Sequence, residues 1–279
     1  MPKKRSARRK AIIRRRIFLS VCCVVLALAI ALVGFVVKSA LNAGDDVSSD
    51  SNSDVSSLDS SNITSQDSSD VSSENLSSRP QFVDRNGVTL DAEFEMLLLV
   101  NADNPLPDDY DANIRASLVE IDSKYRNNNY VTQIHKDVYP YITAMVAAAQ
   151  ADGVGLKVWS PFRSYAIQKD LFQKQVDRVG GDEAKAATVV ARPGTSEHNT
   201  GLCADFNMAS DAFEKTEMYT WMTEHAADYG FVMRYSAEKQ PITGVIHESW
   251  HWRFVGIYAA YEMNELGMCL EEYVEYRNK

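Results

Sequence analysis

Cysteine is scarce in this sequence, with four in 279 residues, and so small a number excludes a scaffold held together by disulfides. Acidic residues are absent from the first 40 positions, which hold ten of the 29 lysines and arginines. The rest of the chain therefore carries 19 basic and 38 acidic residues, a net charge of −19. Because contacts to phosphate groups need a basic surface, this balance argues against a nucleic-acid partner.

A long uncharged stretch follows the basic N-terminus. Residues 1–16 form a basic tail with nine Lys or Arg, and residues 17–37 run for 21 positions without a charge. A helix of that length measures roughly 32 Å, enough for a hydrocarbon core of about 30 Å. The apolar region of a cleavable signal peptide is shorter, about 7 to 15 residues. We therefore predict a single-pass transmembrane helix at 17–37 in the cell membrane, with a cytoplasmic N-terminus and the remaining chain outside.

Aromatic residues are absent between residues 43 and 79, where 15 of the 37 positions are serine and eight are acidic. Such a segment cannot bury enough apolar surface to offset the entropy of ordering the chain. Residues 38–79 are therefore predicted to be a disordered Ser/Asp-rich linker. The remaining 80–279 are long enough for a single domain with one core.

Residues 80–279 show patterns of both helices and strands. Helices are predicted at 139–151, 164–179, 182–190, 211–229 and 257–266, each followed within three residues by glycine or proline. Strands are predicted at 97–100, 156–160, 202–206, 231–235 and 243–255. Because helices lie before and between strands that are close in sequence, the fold class is predicted to be α+β, a central antiparallel sheet flanked by helices.

Histidine is also rare, with five in the chain. Three of the five lie in two polar patches, GTSEHNTGLCAD at 194–205 and HESWHWR at 247–253. Charged groups in otherwise apolar strands cost several kcal/mol unless they are paired or bind a metal. Zinc suits these donors, and a catalytic zinc site has three protein ligands and a water. We predict that His198, Asp205 and His251 are the ligands and that Glu248 is the base.

The second patch also fits a different zinc site. Residues 247–251 spell H-E-x-x-H, a pattern in which two histidines on one face of a helix bind zinc. A third ligand would then come from Glu265, Glu271 or Glu272. Proline and glycine bracket the segment, and its β-branched and aromatic residues are poor helix formers. A strand is therefore favoured over this helical alternative.

Four separated segments carry a family resemblance: LLVNADNPLPDDY at 98–110, SPFRSYAIQ at 160–168, SEHNTGLCAD at 196–205 and ESWHWRFVG at 248–256. In this order they resemble the motifs of VanY-type D-alanyl-D-alanine carboxypeptidases, which belong to the wider lysostaphin, D-Ala-D-Ala carboxypeptidase and sonic hedgehog group. The resemblance covers residues 95–275. It implies a single zinc peptidase domain that binds one Zn²⁺ on the three ligands named above, with Glu248 shuttling the proton.

The resemblance implies roles for three further residues. Arg163 would face the scissile carbonyl, where a permanently charged group can stabilise the developing oxyanion. Ser196 and Gln168 would hold the substrate.

Two positions depart from the family pattern. Asn199 stands where glutamine is frequent, and Cys203 stands where a small residue such as alanine is usual. On a strand, Cys203 would point to the same side as Asp205, where its thiol would compete for a soft metal. A disulfide between Cys203 and Cys269 is left open. His247 is expected to lie beside the site without binding metal.

The spacing of Glu248 and His251 requires an irregular strand. Side chains three residues apart on a regular strand point to opposite faces, so the backbone must twist or bulge to bring both to one metal. If Glu248 is not the base, Glu197 is the first alternative.

With the predicted membrane span, the resemblance implies a membrane-anchored zinc carboxypeptidase that hydrolyses the terminal D-Ala-D-Ala bond of peptidoglycan stem peptides or their precursors. The same site would also suit an L,D-carboxypeptidase or an endopeptidase acting on these peptides. A catalytically silent cell-surface binding module fits less well, because a pure binder needs no base.

Overall fold

The computed structural model describes residues 81–279. The predicted basic tail, transmembrane helix and linker lie outside this range. Among the residues that are described, no helix is both long enough and apolar enough to cross a membrane.

The strands of the described part are short and pair in an antiparallel manner. They are β1 (Gln81–Val83), β2 (Thr89–Asp91), β3 (Leu118–Glu120), β4 (Gln133–His135), β5 (Val158–Ser160), β6 (Cys203–Phe206), β7 (Phe231–Tyr235) and β8 (Glu248–Phe254). The last four form the central sheet, in the order β5-β6-β8-β7, while β1-β2 and β3-β4 are separate two-stranded sheets. The predicted α+β arrangement, an antiparallel sheet flanked by helices, is confirmed.

Helices precede and connect the strands of the central sheet. They are α1 (Tyr110–Ile114), α2 (Tyr139–Ala151), α3 (Tyr165–Arg178), α4 (Glu183–Ala187), α5 (Glu217–His225), α6 (Gln240–Thr243), α7 (Ile257–Leu266) and α8 (Leu270–Asn278). Side-chain oxygens of Ser164, Asp182 and Thr216 accept backbone N–H groups at the starts of α3, α4 and α5. Each such cap satisfies a donor that the first helical turn leaves without a partner.

The hydrophobic core lies between α2 and the central sheet. Ile142 and Met145 on α2 are fully buried in the same cluster as Phe206 on β6. Tyr141 packs against Phe254 of β8, with ring centroids 4.7 Å apart. Burial of each such side chain stabilises the fold by about 1.5–3 kcal/mol. This packing holds the strands that carry the polar patches.

Several predicted elements differ from the observed ones. Residues 97–100 form no strand, and residues 211–229 divide into a 3₁₀ turn, α5 and a second 3₁₀ turn. The predicted strand 243–255 starts only at residue 248, because residues 240–243 form α6. The helical H-E-x-x-H alternative is wrong, since residues 248–254 form β8. Cys203 and Cys269 are both buried free thiols, so the disulfide left open by the sequence does not form.

Candidate metal centre

Two neighbouring strands and the turn before one of them supply the candidate ligands. Asp205 on β6 lies directly opposite His251 on β8. His198 comes from a 3₁₀ turn at 197–200, which ends at Gly201 in the left-handed conformation, with φ +66°. A Cβ atom on Gly201 would lie 2.9 Å from the backbone nitrogen of His135, so this turn requires glycine.

The three candidate ligand atoms form a nearly equilateral triangle. His251 Nδ1 lies 3.2 Å from His198 Nε2 and 3.2 Å from Asp205 Oδ1, and the third edge, from His198 Nε2 to Asp205 Oδ1, is 3.4 Å. A tetrahedral zinc with bonds of about 2.0–2.1 Å has edges of roughly 3.3 Å. Asp205 Oδ1 is buried and has no hydrogen-bond partner, as expected of an atom that binds a cation. The donor set therefore fits zinc.

In both histidines, the ring nitrogen that faces away from the candidate metal position contacts an oxygen atom of the protein. His198 Nδ1 lies 2.7 Å from the carbonyl oxygen of Pro161, which can only accept, so Nδ1 carries the hydrogen and Nε2 presents its lone pair. His251 Nε2 lies 3.4 Å from Glu197 Oε2, which leaves Nδ1 available to bind a metal. Such outer partners fix the tautomer and the orientation of a metal-binding histidine.

Glu197 belongs to a buried network of charges behind the centre. Its Oε1 accepts from Arg234 Nε and from Arg253 Nη1, each at 2.8 Å. Arg234 in turn makes a two-pronged pair with Glu271, at 2.6 and 2.8 Å. Burial would raise the pKa of Glu197, but the two guanidinium groups hold it well below its usual range. Because its carboxylate is engaged by two arginines and by the far edge of His251, Glu197 is poorly placed to act as the alternative base.

This network predicts a large stability effect for one substitution. Glu197→Ala leaves two buried guanidinium groups without their shared carboxylate, and breaking a buried ion pair costs about 3–5 kcal/mol. We expect the free energy of unfolding, measured by urea denaturation, to fall by about that amount.

The matched control is Glu183→Ala, which removes a carboxylate from an exposed pair with Arg192 at 3.4 Å. Exposed pairs contribute about 0–1 kcal/mol. Equal, small losses in the two variants would show that the buried network does not stabilise the fold as inferred.

Glu248 reaches the centre through an irregularity in β8. Met233 and Tyr235 of β7 lie opposite Trp252 and Glu248, so a step of two residues along β7 corresponds to a step of four residues along β8. The predicted bulge is confirmed, and it places Glu248 Oε2 3.8 Å from His251 Nδ1. Burial raises the pKa of Glu248 to about 7.

A cavity of about 340 Å³ opens over the centre. It is lined by the three candidate ligands, by Glu248, and by the three residues predicted to contact substrate, Arg163, Ser196 and Gln168. Arg163 Nη2 lies 4.0 Å from Asp205 Oδ2, and Arg163 Nε is buried without a partner. The structure thus brings together all seven residues that the sequence analysis singled out.

Asn199 holds the backbone of Arg163. The Asn199 side chain donates to the carbonyl of Arg163 at 2.7 Å, and the backbone N–H of Arg163 donates to the carbonyl of His198 at 2.9 Å. Asn199 therefore links the arginine to the turn that carries His198.

His247 and Cys203 lie close to the candidate ligands in the sequence. His247 Nδ1 lies 3.0 Å from the carbonyl oxygen of Tyr235, next to β8, and the residue does not line the cavity. Cys203, by contrast, is fully buried against the centre. Burial alone would raise the pKa of its thiol, but the rings of His198 and His251 lower it to about 7.

Sequence reasoning missed the arginines of the network. Arg234 lies within the apolar strand FVMRY and Arg253 within β8, and both are fully buried. A charged residue inside an apolar strand was the available signal, because such a residue must find a partner.

Comparisons of sequence relate the chain to a family of known proteins. Residues 131–257 match the family model of VanY, D-alanyl-D-alanine carboxypeptidase. The chain is 37% identical over 185 residues to a D-alanyl-D-alanine carboxypeptidase of Enterococcus faecalis (strain ATCC 700802 / V583). The alignment covers 64% of this chain and 65% of the relative, so the chain spans slightly less than two thirds of that protein's length.

Solved structures show the same relationship. The fold is similar to that of LdcB, an LD-carboxypeptidase that recognises peptidoglycan, with a TM-score of 0.58 and 35% identity over 63% of this chain and 84% of the other. It is also similar to the D,D-pentapeptidase VanY of a VanB-type vancomycin resistance cassette, solved with Zn(II), with a TM-score of 0.53 and 38% identity over 64% of this chain and 98% of the other.

Proposed function

The chain belongs to the VanY family of D-alanyl-D-alanine carboxypeptidases, and we propose that it is a zinc peptidase that removes the terminal D-alanine of peptidoglycan stem peptides or their precursors. The triangle of His198, Asp205 and His251 ligand atoms, with Glu248 beside it in one cavity, carries this proposal. A single such triangle would bind one Zn²⁺ per chain.

In this proposal Glu248 is the general base, and Arg163 provides a fixed positive charge. Zinc, when bound, lowers the pKa of a water toward about 7 and polarises the scissile carbonyl. Glu248 is positioned to take the proton of the attacking water and to return it to the leaving amine. Arg163, fixed through its backbone by His198 and Asn199, directs its guanidinium into the same cavity, where it would stabilise negative charge on the carbonyl oxygen.

Gln168 presents a hydrogen-bond acceptor to the substrate. Its Nε2 donates to the carbonyl of Ala191 at 2.7 Å, and because a carbonyl only accepts, this contact determines the orientation of the amide. The remaining atom, Gln168 Oε1, is buried without a partner in the cavity wall. Gln168 therefore suits a peptide N–H of the substrate, and the hydroxyl of Ser196, which lines the same cavity, would supply a donor.

The function is tested by incubating the full-length chain with purified muropeptides that end in pentapeptide or tetrapeptide, and with cross-linked dimers. Products are read by mass spectrometry, with and without a chelator. We expect loss of one alanine from the pentapeptide, abolished by the chelator and restored by zinc. Zinc binding with no turnover of any of these peptides would instead support a binding module and refute the proposed activity.

The main alternative is an L,D-carboxypeptidase, which the similarity to LdcB favours. In that case the tetrapeptide would lose its terminal alanine and the pentapeptide would not. Cleavage of the cross-linked dimer would indicate an endopeptidase. The same three substrates thus separate the three specificities.

We also propose that the peptidase is anchored in the cell membrane by residues 17–37 and faces the cell wall. Support comes from the sequence alone, namely the 21 uncharged residues behind a basic tail. The net charge of −19 beyond residue 40 makes a nucleic-acid partner unsuitable.

A further inference from the structure

A thiol lies against the proposed zinc ligands. Cys203 is two residues before Asp205 on β6, so the alternation of a strand directs both side chains to the same side of the sheet. One ligand atom each from His198, Cys203 and His251 lie within 4.8 Å of one another, and all three residues are buried. The thiol is therefore close to the atoms that would surround the metal.

Cys203 lies outside the cavity wall. Its side chain is fully buried and is absent from the cavity wall, whereas His198, Asp205 and His251 all line that wall. Cys203 consequently approaches the centre from the protein side and leaves the cavity side to substrate and water. Catalytic zinc sites sometimes expand from four to five ligands, so a fourth protein donor on the protein side is compatible with a water or substrate on the cavity side.

The neighbouring atoms are those of a binding site. Asp205 Oδ1 is buried without a hydrogen-bond partner beside the two histidine rings. A thiolate binds zinc at about 2.3 Å, and a tetrahedral edge between sulfur and nitrogen is then roughly 3.6 Å. The ligand atoms of His198, Cys203 and His251 all lie within 4.8 Å of one another, so the thiol is close enough to reach the metal with a small adjustment.

We propose that Cys203 Sγ is a fourth protein donor to the metal, together with His198, Asp205 and His251. The inference rests on the proposed zinc function and goes beyond it, because the family usually has a small residue such as alanine at this position. On binding, the S–H bond breaks, a sulfur–metal bond forms, and the proton passes to solvent. A thiolate is a soft ligand, so this centre should favour thiophilic ions such as Cd²⁺ more than a site of two histidines and one aspartate does.

Cobalt substitution tests the proposal directly. The full-length chain, its Cys203→Ala variant and a matched Cys269→Ala variant are stripped of metal and titrated with Co²⁺. A sulfur-to-cobalt charge-transfer band in the near ultraviolet is expected in the wild type and in Cys269→Ala, and it is expected to vanish in Cys203→Ala. The ratio of Cd²⁺ to Zn²⁺ affinity should also fall at least about tenfold in Cys203→Ala alone.

The outcomes separate this inference from the proposed function. Visible cobalt d–d bands in the wild type without the charge-transfer band would overturn the Cys203 assignment and leave the peptidase proposal standing. A charge-transfer band that survives in Cys203→Ala would assign it to another cysteine and would also overturn the assignment. Absence of any bound cobalt in the wild type would refute the metal site itself. Because absence of the charge-transfer band in the wild type already overturns the assignment, the proposal can be refuted even if Cys203→Ala does not fold.

Discussion

Glu248→Gln is expected to keep zinc bound and to lower the turnover of the pentapeptide by about 10²-fold to 10⁴-fold, the usual contribution of general acid–base catalysis. An amide fills the volume of the carboxylate, so the cavity and the ligand triangle should persist. It has no basic oxygen to take a proton, so only the chemical step should slow. The measurement is kcat together with zinc content after dialysis.

The matched control for this variant is Glu265→Gln, which makes the same chemical change at an exposed position on α7. Wild-type kcat and zinc content are expected there. If Glu248→Gln also turns over at the wild-type rate, Glu248 is not the base. Loss of zinc from Glu248→Gln would mean that the carboxylate acts as a ligand.

Replacing His198 or Asp205 with alanine should lower zinc affinity by more than about 100-fold. Loss of an outer partner alone costs 10–100-fold, and these residues supply two of the three atoms of the ligand triangle. Zinc content after dialysis against a metal buffer is the measurement, and circular dichroism verifies that each variant is folded.

His247→Ala is the control, because it removes a histidine that lies four residues from His251 in the chain but bonds to the carbonyl of Tyr235. Its zinc content should equal that of the wild type. Full zinc occupancy in both His198→Ala and Asp205→Ala would refute their assignment as ligands. Loss of zinc from His247→Ala would show that His247 contributes to zinc binding, contrary to the assignment.

The candidate ligands could be identified in the sequence because the evidence for them was local and chemical. His198 and Asp205 lie within one polar patch, and the rarity of histidine made each of these residues informative. The bulge near Glu248 followed from a spacing of three residues on a strand. Both arguments need only residue types and short distances along the chain.

The charge network could not be predicted because its partners are remote in sequence. Glu197 is 37 residues from Arg234 and 56 residues from Arg253. Residue types show that each buried charge needs a partner of opposite charge, but they do not identify the partner residue. Only the register of β6, β7 and β8 settles the pairing.

Segments 97–100 and 270–278 show two other limits of the sequence. The run LLLV has the composition of a strand, yet the Arg253 side chain donates to the carbonyl of Leu98 at 2.7 Å, so a guanidinium takes a position that a neighbouring strand would occupy. Helix α8 was missed because it buries little of its length, with Leu270 and Tyr273 as its buried residues. In both segments tertiary contacts override local pattern.

The shared carboxylate of Glu197 also limits which substitutions this protein can tolerate during evolution. Loss of Glu197 alone leaves the buried guanidinium groups of Arg234 and Arg253 without their shared carboxylate, whereas coordinated replacement of a buried charge network by apolar residues of similar volume can be nearly neutral for stability. Single substitutions at these positions should therefore lower the stability of the fold, and the effects of combined substitutions should be strongly non-additive. A chimera that exchanges the β7 segment or the C-terminal helix with a relative should accordingly transfer these positions as one set.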